Sequence, residues 1–252
     1  MKTWLKSSLM ILGFLAVFAF SFAPEPEVVI YLVGDSTCAD KVAEAFPETG
    51  WGTPFKTFFA ETVEIKNHAR NGRSTKSFLE EGLWDEVLKN LKNGDYVFIQ
   101  FGHNDEVPSK VDRYTRPDEF QINLKKYLLD TRSKGAKPVL LTPVTRRSFK
   151  GSKLEDTHKE YAQLTRNVAD TENVPLIDMT KKSMELVIDL GVSNSKLLYN
   201  HLGVGEHPNY PKGREDNTHF NELGARKMAQ LVLDGIEELG LGLTEFVVAG
   251  KR

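Results

Sequence analysis

The spacing of hydrophobic and polar positions alternates between two periods along the chain. Five short runs are apolar on both faces and rich in β-branched residues, at 28–33, 63–67, 95–101, 137–142 and 174–178. Continuous apolar runs of that length fit strands buried on both sides of a parallel sheet. Between them the apolar spacing lengthens to three and four residues. Leu79, Leu83, Val87, Leu88 and Leu91 form one such stripe, Phe120, Leu124, Tyr127 and Leu128 a second, and Tyr161, Leu164, Thr165 and Val168 a third. Strands alternating with helices predict an α/β domain, a parallel sheet covered on both faces. A last helix is predicted to start at Asn221, a good capping residue, with Ala225, Met228, Ala229, Val232 and Ile236 on one face.

Two stretches carry neither period. Residues 146–156 are basic and contain Gly and Ser; residues 200–217 are rich in Gly, Pro, Asn and His. Both are predicted to be long loops, which in a compact domain usually serve a function. The tail, 244–252, offers at most a short extra strand.

The first 23 residues differ from the rest. Lys2 and Lys6 precede an apolar run from Leu9 to Phe20, and Ser21-Phe22-Ala23 supplies small residues before a cut. This is the layout of a secretory signal peptide, with a run too short to span a bilayer comfortably. The expected organisation is a signal peptide at 1–23 and one domain at 24–252, secreted or periplasmic, with no membrane attachment after cleavage. The one cysteine, Cys38, cannot form an internal disulfide, so an exported chain must rely on its core.

Composition narrows the partners. At 40% hydrophobic and 27% charged, the sequence fits a globular domain. Removing Lys2 and Lys6 from 33 basic residues leaves 31 against 35 acidic ones, a net charge of −4. Nucleic-acid binders need a basic face, so none is expected here.

In an open parallel sheet, ligands bind beyond the carboxyl ends of the strands. The first strand runs into Gly34-Asp35-Ser36, the second leads to Asn71-Gly72-Arg73-Ser74, and the third ends in Gly102-His103-Asn104-Asp105. Asp216-Asn217-Thr218-His219 precedes the last helix. Four polar turns therefore converge on one edge. A serine hydroxyl becomes a useful nucleophile when an imidazole takes its proton, and the imidazole needs a carboxylate to fix its tautomer. The three-residue spacing of Asp216 and His219 can place the carboxylate on Nδ1 and leave Nε2 for Ser36. The Gly72 N–H, the Asn104 amide and the Ser36 N–H can supply donors for an oxyanion.

These blocks, in this order and spread over most of the chain, resemble the SGNH (GDSL-type) hydrolases. Gly34-Asp35-Ser36-Thr37, Gly72-Arg73-Ser74, Gln100-Phe101-Gly102-His103-Asn104-Asp105 and Asp216-Asn217-Thr218-His219-Phe220 look most like the rhamnogalacturonan acetylesterase branch. The resemblance implies a three-layer α/β/α, flavodoxin-like fold with a five-stranded parallel sheet in the order 2-1-3-4-5. It also implies a triad of Ser36, Asp216 and His219, with Ser36, Gly72 and Asn104 as oxyanion donors. The expected activity is removal of acetyl groups from plant polysaccharide, pectin in particular, through an acetyl-enzyme, with no cofactor and no metal, by a monomer. A lipase, lysophospholipase or thioesterase of the same fold, or an acetylxylan esterase, is the alternative. The segment 200–215 finds no counterpart in the family pattern.

Other polar residues have plainer readings. Asp35 is expected to brace its turn and Asp105 to fix a loop, while His103 should shape the pocket. His68, His158, His201 and His207 lack metal-type spacing and are expected at the surface or core edge. Cys38, placed one turn into a helix, should be buried and inert. Arg146, Arg147, Lys150 and Lys153 form a basic cluster that is either solvated surface or a partner for galacturonate carboxylates. Trp51, Trp84, Tyr199 and Tyr210 are aromatic options for a sugar platform, with Trp84 expected in the core.

Overall fold

A computed structural model of the chain describes residues 26–248 and 250. The proposed signal peptide lies outside the described residues, as do the last two residues of the tail.

Nine strands are present among the described residues: β1 (Val28–Gly34), β2 (Val63–Asn67), β3 (Tyr96–Gln100), β4 (Lys137–Leu141), β5 (Phe149–Lys150), β6 (Lys153–Leu154), β7 (Leu176–Ile177), β8 (Tyr199–Leu202) and β9 (Arg214–Phe220). The α-helices are α1 (Gly52–Phe55), α2 (Thr75–Glu80), α3 (Leu83–Asn90), α4 (Pro117–Ser133), α5 (Lys159–Thr171), α6 (Met179–Asn194) and α7 (Glu222–Glu238). The main sheet runs β2-β1-β3-β4-β7, parallel throughout. This is the expected order, because β5 and β6 form a separate antiparallel pair between the fourth and fifth sheet strands.

The layering follows from the strand pleat. Successive side chains of one strand point to opposite faces. Ile30 and Leu32 of β1 join Phe98, Val139 and Leu141 in a core shared with α1, α6 and α7. Val29, Tyr31 and Val33 join Val97, Ile99 and Leu140 in a second core shared with α2, α3, α4 and α5. Two apolar cores separated by one sheet make the three layers. All five predicted apolar positions of α7 are fully buried, and Asn221 caps the helix by accepting from the Gly224 N–H at 3.0 Å.

Several expectations need correction. The stripe from Leu79 to Leu91 is two helices, because Gly82 between them takes φ +73°, a left-handed conformation a helix interior does not hold. The fifth sheet strand shrinks to Leu176–Ile177, since it pairs only with Leu140 and Leu141 at the sheet edge. Residues 146–156 contain the β5–β6 hairpin instead of an irregular loop. Residues 200–217 are partly strand: β8 and β9 pair antiparallel, and Asp216 and His219 both lie on β9. Cys38 is buried as expected, but in a turn closed by its N–H on the Asp35 carbonyl at 3.2 Å, not in a helix. Helix α6, unanticipated, starts where the Asp178 side chain accepts from the Lys181 N–H. Among its described residues the tail forms a short 3-10 turn at Thr244–Phe246 and a bridge of Val247 with Phe59.

Candidate active site

Sheet register brings the four blocks together. Gly34 pairs with Gln100, so Asp35-Ser36 and Gly102-His103-Asn104 leave the sheet side by side. Backbone bonds between β1 and β2 continue past the strands, from His68 N–H to Leu32 O and from Arg70 N–H to Gly34 O, both at 2.9 Å. They carry Asn71-Gly72 alongside Ser36. The hairpin β8–β9 then folds His219 over the same edge.

Ser36 Oγ lies 2.9 Å from His219 Nε2. On the other side of the ring, Nδ1 lies 2.9 Å from Asp216 Oδ2. The second oxygen, Asp216 Oδ1, accepts the backbone N–H groups of Thr218 at 2.8 Å and His219 at 2.9 Å. Arg214 Nη2 also reaches Oδ2 at 2.8 Å. Burial works against the ionised form of Asp216, but these donors outweigh it and hold the carboxyl well below its ordinary range. An ionised Asp216 fixes the His219 tautomer with hydrogen on Nδ1, leaving the Nε2 lone pair for the serine hydroxyl.

Asn104 is oriented from both ends. Its Nδ2 donates to the Arg73 carbonyl at 3.0 Å, and its Oδ1 accepts from Arg113 Nη1 at 3.3 Å. An amide nitrogen has two hydrogens, so one remains for a ligand. Gly72 has φ +75°, and a Cβ there would come within 2.8 Å of the same Arg113 Nη1. Glycine at this position therefore answers a backbone requirement, while the Arg113 guanidinium end could shift aside.

Beneath the site the polar residues are locked. Asp105 Oδ1 accepts the N–H and the hydroxyl of Thr75, at 2.9 and 2.6 Å, tying the loop after β3 to the start of α2. Burial pushes this carboxyl up to about 7. His103 is buried against Asp35 and meets the His158 ring at a tilt of 59°, with ring centroids 4.2 Å apart. His158, expected near the surface, is fully enclosed, with Nδ1 2.9 Å from Glu106 Oε2.

The basic cluster and the aromatics divide between core and surface, with Trp84 in the core and Lys150 and Lys153 exposed, as expected. Arg146 pairs with Glu106. Arg147 is buried, donating to Asn217 Oδ1, Ser195 Oγ and the Val192 carbonyl, so it braces the hairpin that carries Asp216. Lys150 pairs with Glu155 at 2.8 Å. Trp51, Trp84 and Tyr199 are buried, leaving the half-buried Tyr210 as the most accessible of the four. Trp51 instead donates to Gln100 Oε1 at 2.7 Å.

Four site residues escaped sequence reasoning: Lys41, Glu48, Arg113 and Arg214. Glu48 places its carboxylate within 4.8 Å of ligand atoms of Asp216 and His219. Lys41 and Glu48 sit between elements and Arg113 in the loop after β3, where no periodicity marks them. Arg214 had a usable signal: two residues before Asp216 on a strand, it shares its face.

A parallel α/β/α sheet with a serine, a histidine and an aspartate hydrogen-bonded in series at its carboxyl edge is an arrangement suited to ester hydrolysis. A model of the GDSL-like lipase/acylhydrolase family matches residues 32–227. The chain belongs to that family and is an ester hydrolase. The rhamnogalacturonan acetylesterase RhgT of Bacillus subtilis (strain 168) is 43% identical over 224 residues, 88% of this chain and 95% of that protein. The probable rhamnogalacturonan acetylesterase YesY of the same organism is 36% identical over 220 residues, 87% of this chain and 97% of that one. Among solved structures, protein YxiM of Bacillus subtilis superposes with a TM-score of 0.73 at 25% identity, covering 87% of this chain and 59% of that one.

Proposed function

We propose that this chain is a carbohydrate O-acetylesterase acting on acetylated pectin, rhamnogalacturonan in particular, with Ser36, His219 and Asp216 as its triad. Ser36 Oγ attacks the acetyl carbonyl carbon as His219 Nε2 takes the hydroxyl proton. The carbonyl electrons move onto oxygen, and the N–H groups of Ser36 and Gly72 and the free amide hydrogen of Asn104 donate hydrogen bonds to the oxyanion. Collapse expels the sugar oxygen, which takes the proton from Nε2 and leaves an acetyl-enzyme. Water, deprotonated by the same nitrogen, attacks that ester, and acetate departs as Ser36 regains its proton. Asp216 stabilises the imidazolium in both halves and stays ionised.

The observation that supports the mechanism most directly is the unbroken series Ser36 Oγ, His219, Asp216 at 2.9 Å per contact. The substrate rests on the relatives, one named as a rhamnogalacturonan acetylesterase and one as a probable rhamnogalacturonan acetylesterase, both aligned along nearly their full length. Export as a secreted or periplasmic protein is part of the same proposal, supported by the character of residues 1–23, and so is a monomeric state.

The test is acetate release by the protein without residues 1–23, from acetylated rhamnogalacturonan and from acetylated xylan, beside its Ser36→Ala variant. Release from the pectin polymer, lost in the variant, is the expected result. Release mainly from xylan would move the substrate and keep the mechanism. No release from either, with turnover of long-chain esters, would favour a lipase or thioesterase.

A further inference from the structure

Lys41 belongs to none of the four blocks, yet its side chain is 5% exposed and its ammonium meets three separate segments. Nζ donates to the Ser36 carbonyl at 2.6 Å and to Asn71 Oδ1 at 2.7 Å, and pairs with Glu48 Oε1 at 2.9 Å. An ammonium has three donors, and here each has its own acceptor. The first acceptor is on the serine itself. The second is the side chain immediately before Gly72. The third lies beside Asp216 and His219.

The two turns joined this way carry the backbone N–H groups of Ser36 and Gly72. Main-chain bonding between β1 and β2 ends with Arg70 N–H on Gly34 O. Past that point Lys41 continues the connection, at the place where two N–H groups must hold a fixed separation. Oxyanion stabilisation depends on donors being in position before charge develops. A compact ammonium suits three acceptors approaching from different directions, where a planar guanidinium does not. The Glu48 carboxylate makes the enclosed cation tolerable.

We propose that Lys41 is a positioning residue that sets the separation of the Ser36 and Gly72 turns and so preforms the oxyanion hole. This rests on the reading of Ser36 and Gly72 given under Proposed function. Because the oxyanion exists in the transition state and not in the bound ester, the role predicts an effect on kcat with little on KM.

The test compares Lys41→Met, Asn71→Ala, their double variant, Lys41→Met/Glu48→Gln and Ser36→Ala, by steady-state hydrolysis of 4-nitrophenyl acetate with thermal melts alongside. Lys41→Met should lower kcat about a hundredfold, the scale of a misplaced catalytic group. KM should stay within about twofold. Asn71→Ala, at an exposed side chain, should lower kcat in the same direction, and the double variant should be no slower than Lys41→Met because both break one link. Lys41→Met/Glu48→Gln should stay slow, since neutralising Glu48 does not restore the spacing. Unchanged kcat in Lys41→Met, a loss confined to KM, additive losses, or recovery with Glu48→Gln would each overturn the role. If Lys41→Met does not fold, Asn71→Ala decides, and an unchanged kcat there overturns it. An active Ser36→Ala would mean the site itself was misassigned; an inactive one beside a fully active Lys41→Met would remove Lys41 alone.

Discussion

The Asp35 carboxylate faces the His103 imidazole at 3.4 Å, Oδ2 to Nδ1, with both side chains buried under the turn that presents Ser36. Asp35 Oδ1 also accepts the Thr37 N–H at 2.9 Å and the Thr37 hydroxyl at 2.8 Å. Burial alone would raise the Asp35 carboxyl, but His103 and the Thr37 donors hold it at about 2. Burial, reinforced by His158, takes His103 the other way, down to about 4. At neutral pH the pair is therefore an ionised acid and a neutral imidazole. Asp35 neighbours the proposed nucleophile, Ser36, in sequence but braces its turn. Asp35→Ala would orphan the buried Thr37 N–H, and should cost about 2 kcal/mol of stability. Chemical denaturation measures it, and a variant as stable as the parent would exclude the bracing role.

The proposed triad predicts a graded loss. Ser36→Ala or His219→Ala should reduce turnover on the order of a million-fold, and Asp216→Ala by roughly ten-thousand-fold, as in other serine hydrolases. Kinetics with an activated acetate ester measure all three. A mild effect of His219→Ala would point to a different base.

Asn104→Ala should lower kcat by roughly a hundred- to a thousandfold, the usual effect of losing one oxyanion donor. Arg113 holds the Asn104 carbonyl end, so Arg113→Met should give a smaller loss of the same kind. Full activity in Asn104→Ala would exclude the donor role.

Stability should carry two opposed pH slopes. The Asp105 carboxyl is raised in the folded protein to about 7 from an ordinary value near 3.8. The unfolded chain thus releases that proton first, and folding loses stability as pH rises from 4 to 7. His103 is lowered from 6.5 to about 4, so the unfolded imidazole binds its proton first, and stability falls as pH drops through that interval. Asp105→Asn should remove the first slope, gaining on the parent as pH rises toward 7. Melting temperatures between pH 4 and 8 test this; identical slopes in parent and variant would contradict a protonated Asp105.

What was readable in the sequence was what repeats or clusters locally. Strand and helix periods give the five-stranded sheet and α4, α5 and α7, because burial on a strand or helix face constrains residues at fixed spacing. The turns at Ser36, Gly72 and Asn104 were readable because they follow strands whose carboxyl ends must converge. Edge bounds and tertiary pairings were not. The run at 174–178 marked β7, but only Leu176 and Ile177 find partners at the sheet edge, and β8–β9 hides in Gly- and Pro-containing sequence because its pairing is tertiary.

The sequence by itself determined the layers, the strand order through its family resemblance, and the residues Ser36, Gly72, Asn104, Asp216 and His219 as a group. It could do so because each is tied to a nearby strand or helix end. Only the tertiary structure decided how they are held. Lys41 meets Asn71 across 30 positions, and Arg147 reaches Asn217 across 70. Such contacts depend on where loops land after the sheet has closed, and a single charged residue in a loop has no neighbouring pattern to announce its partner.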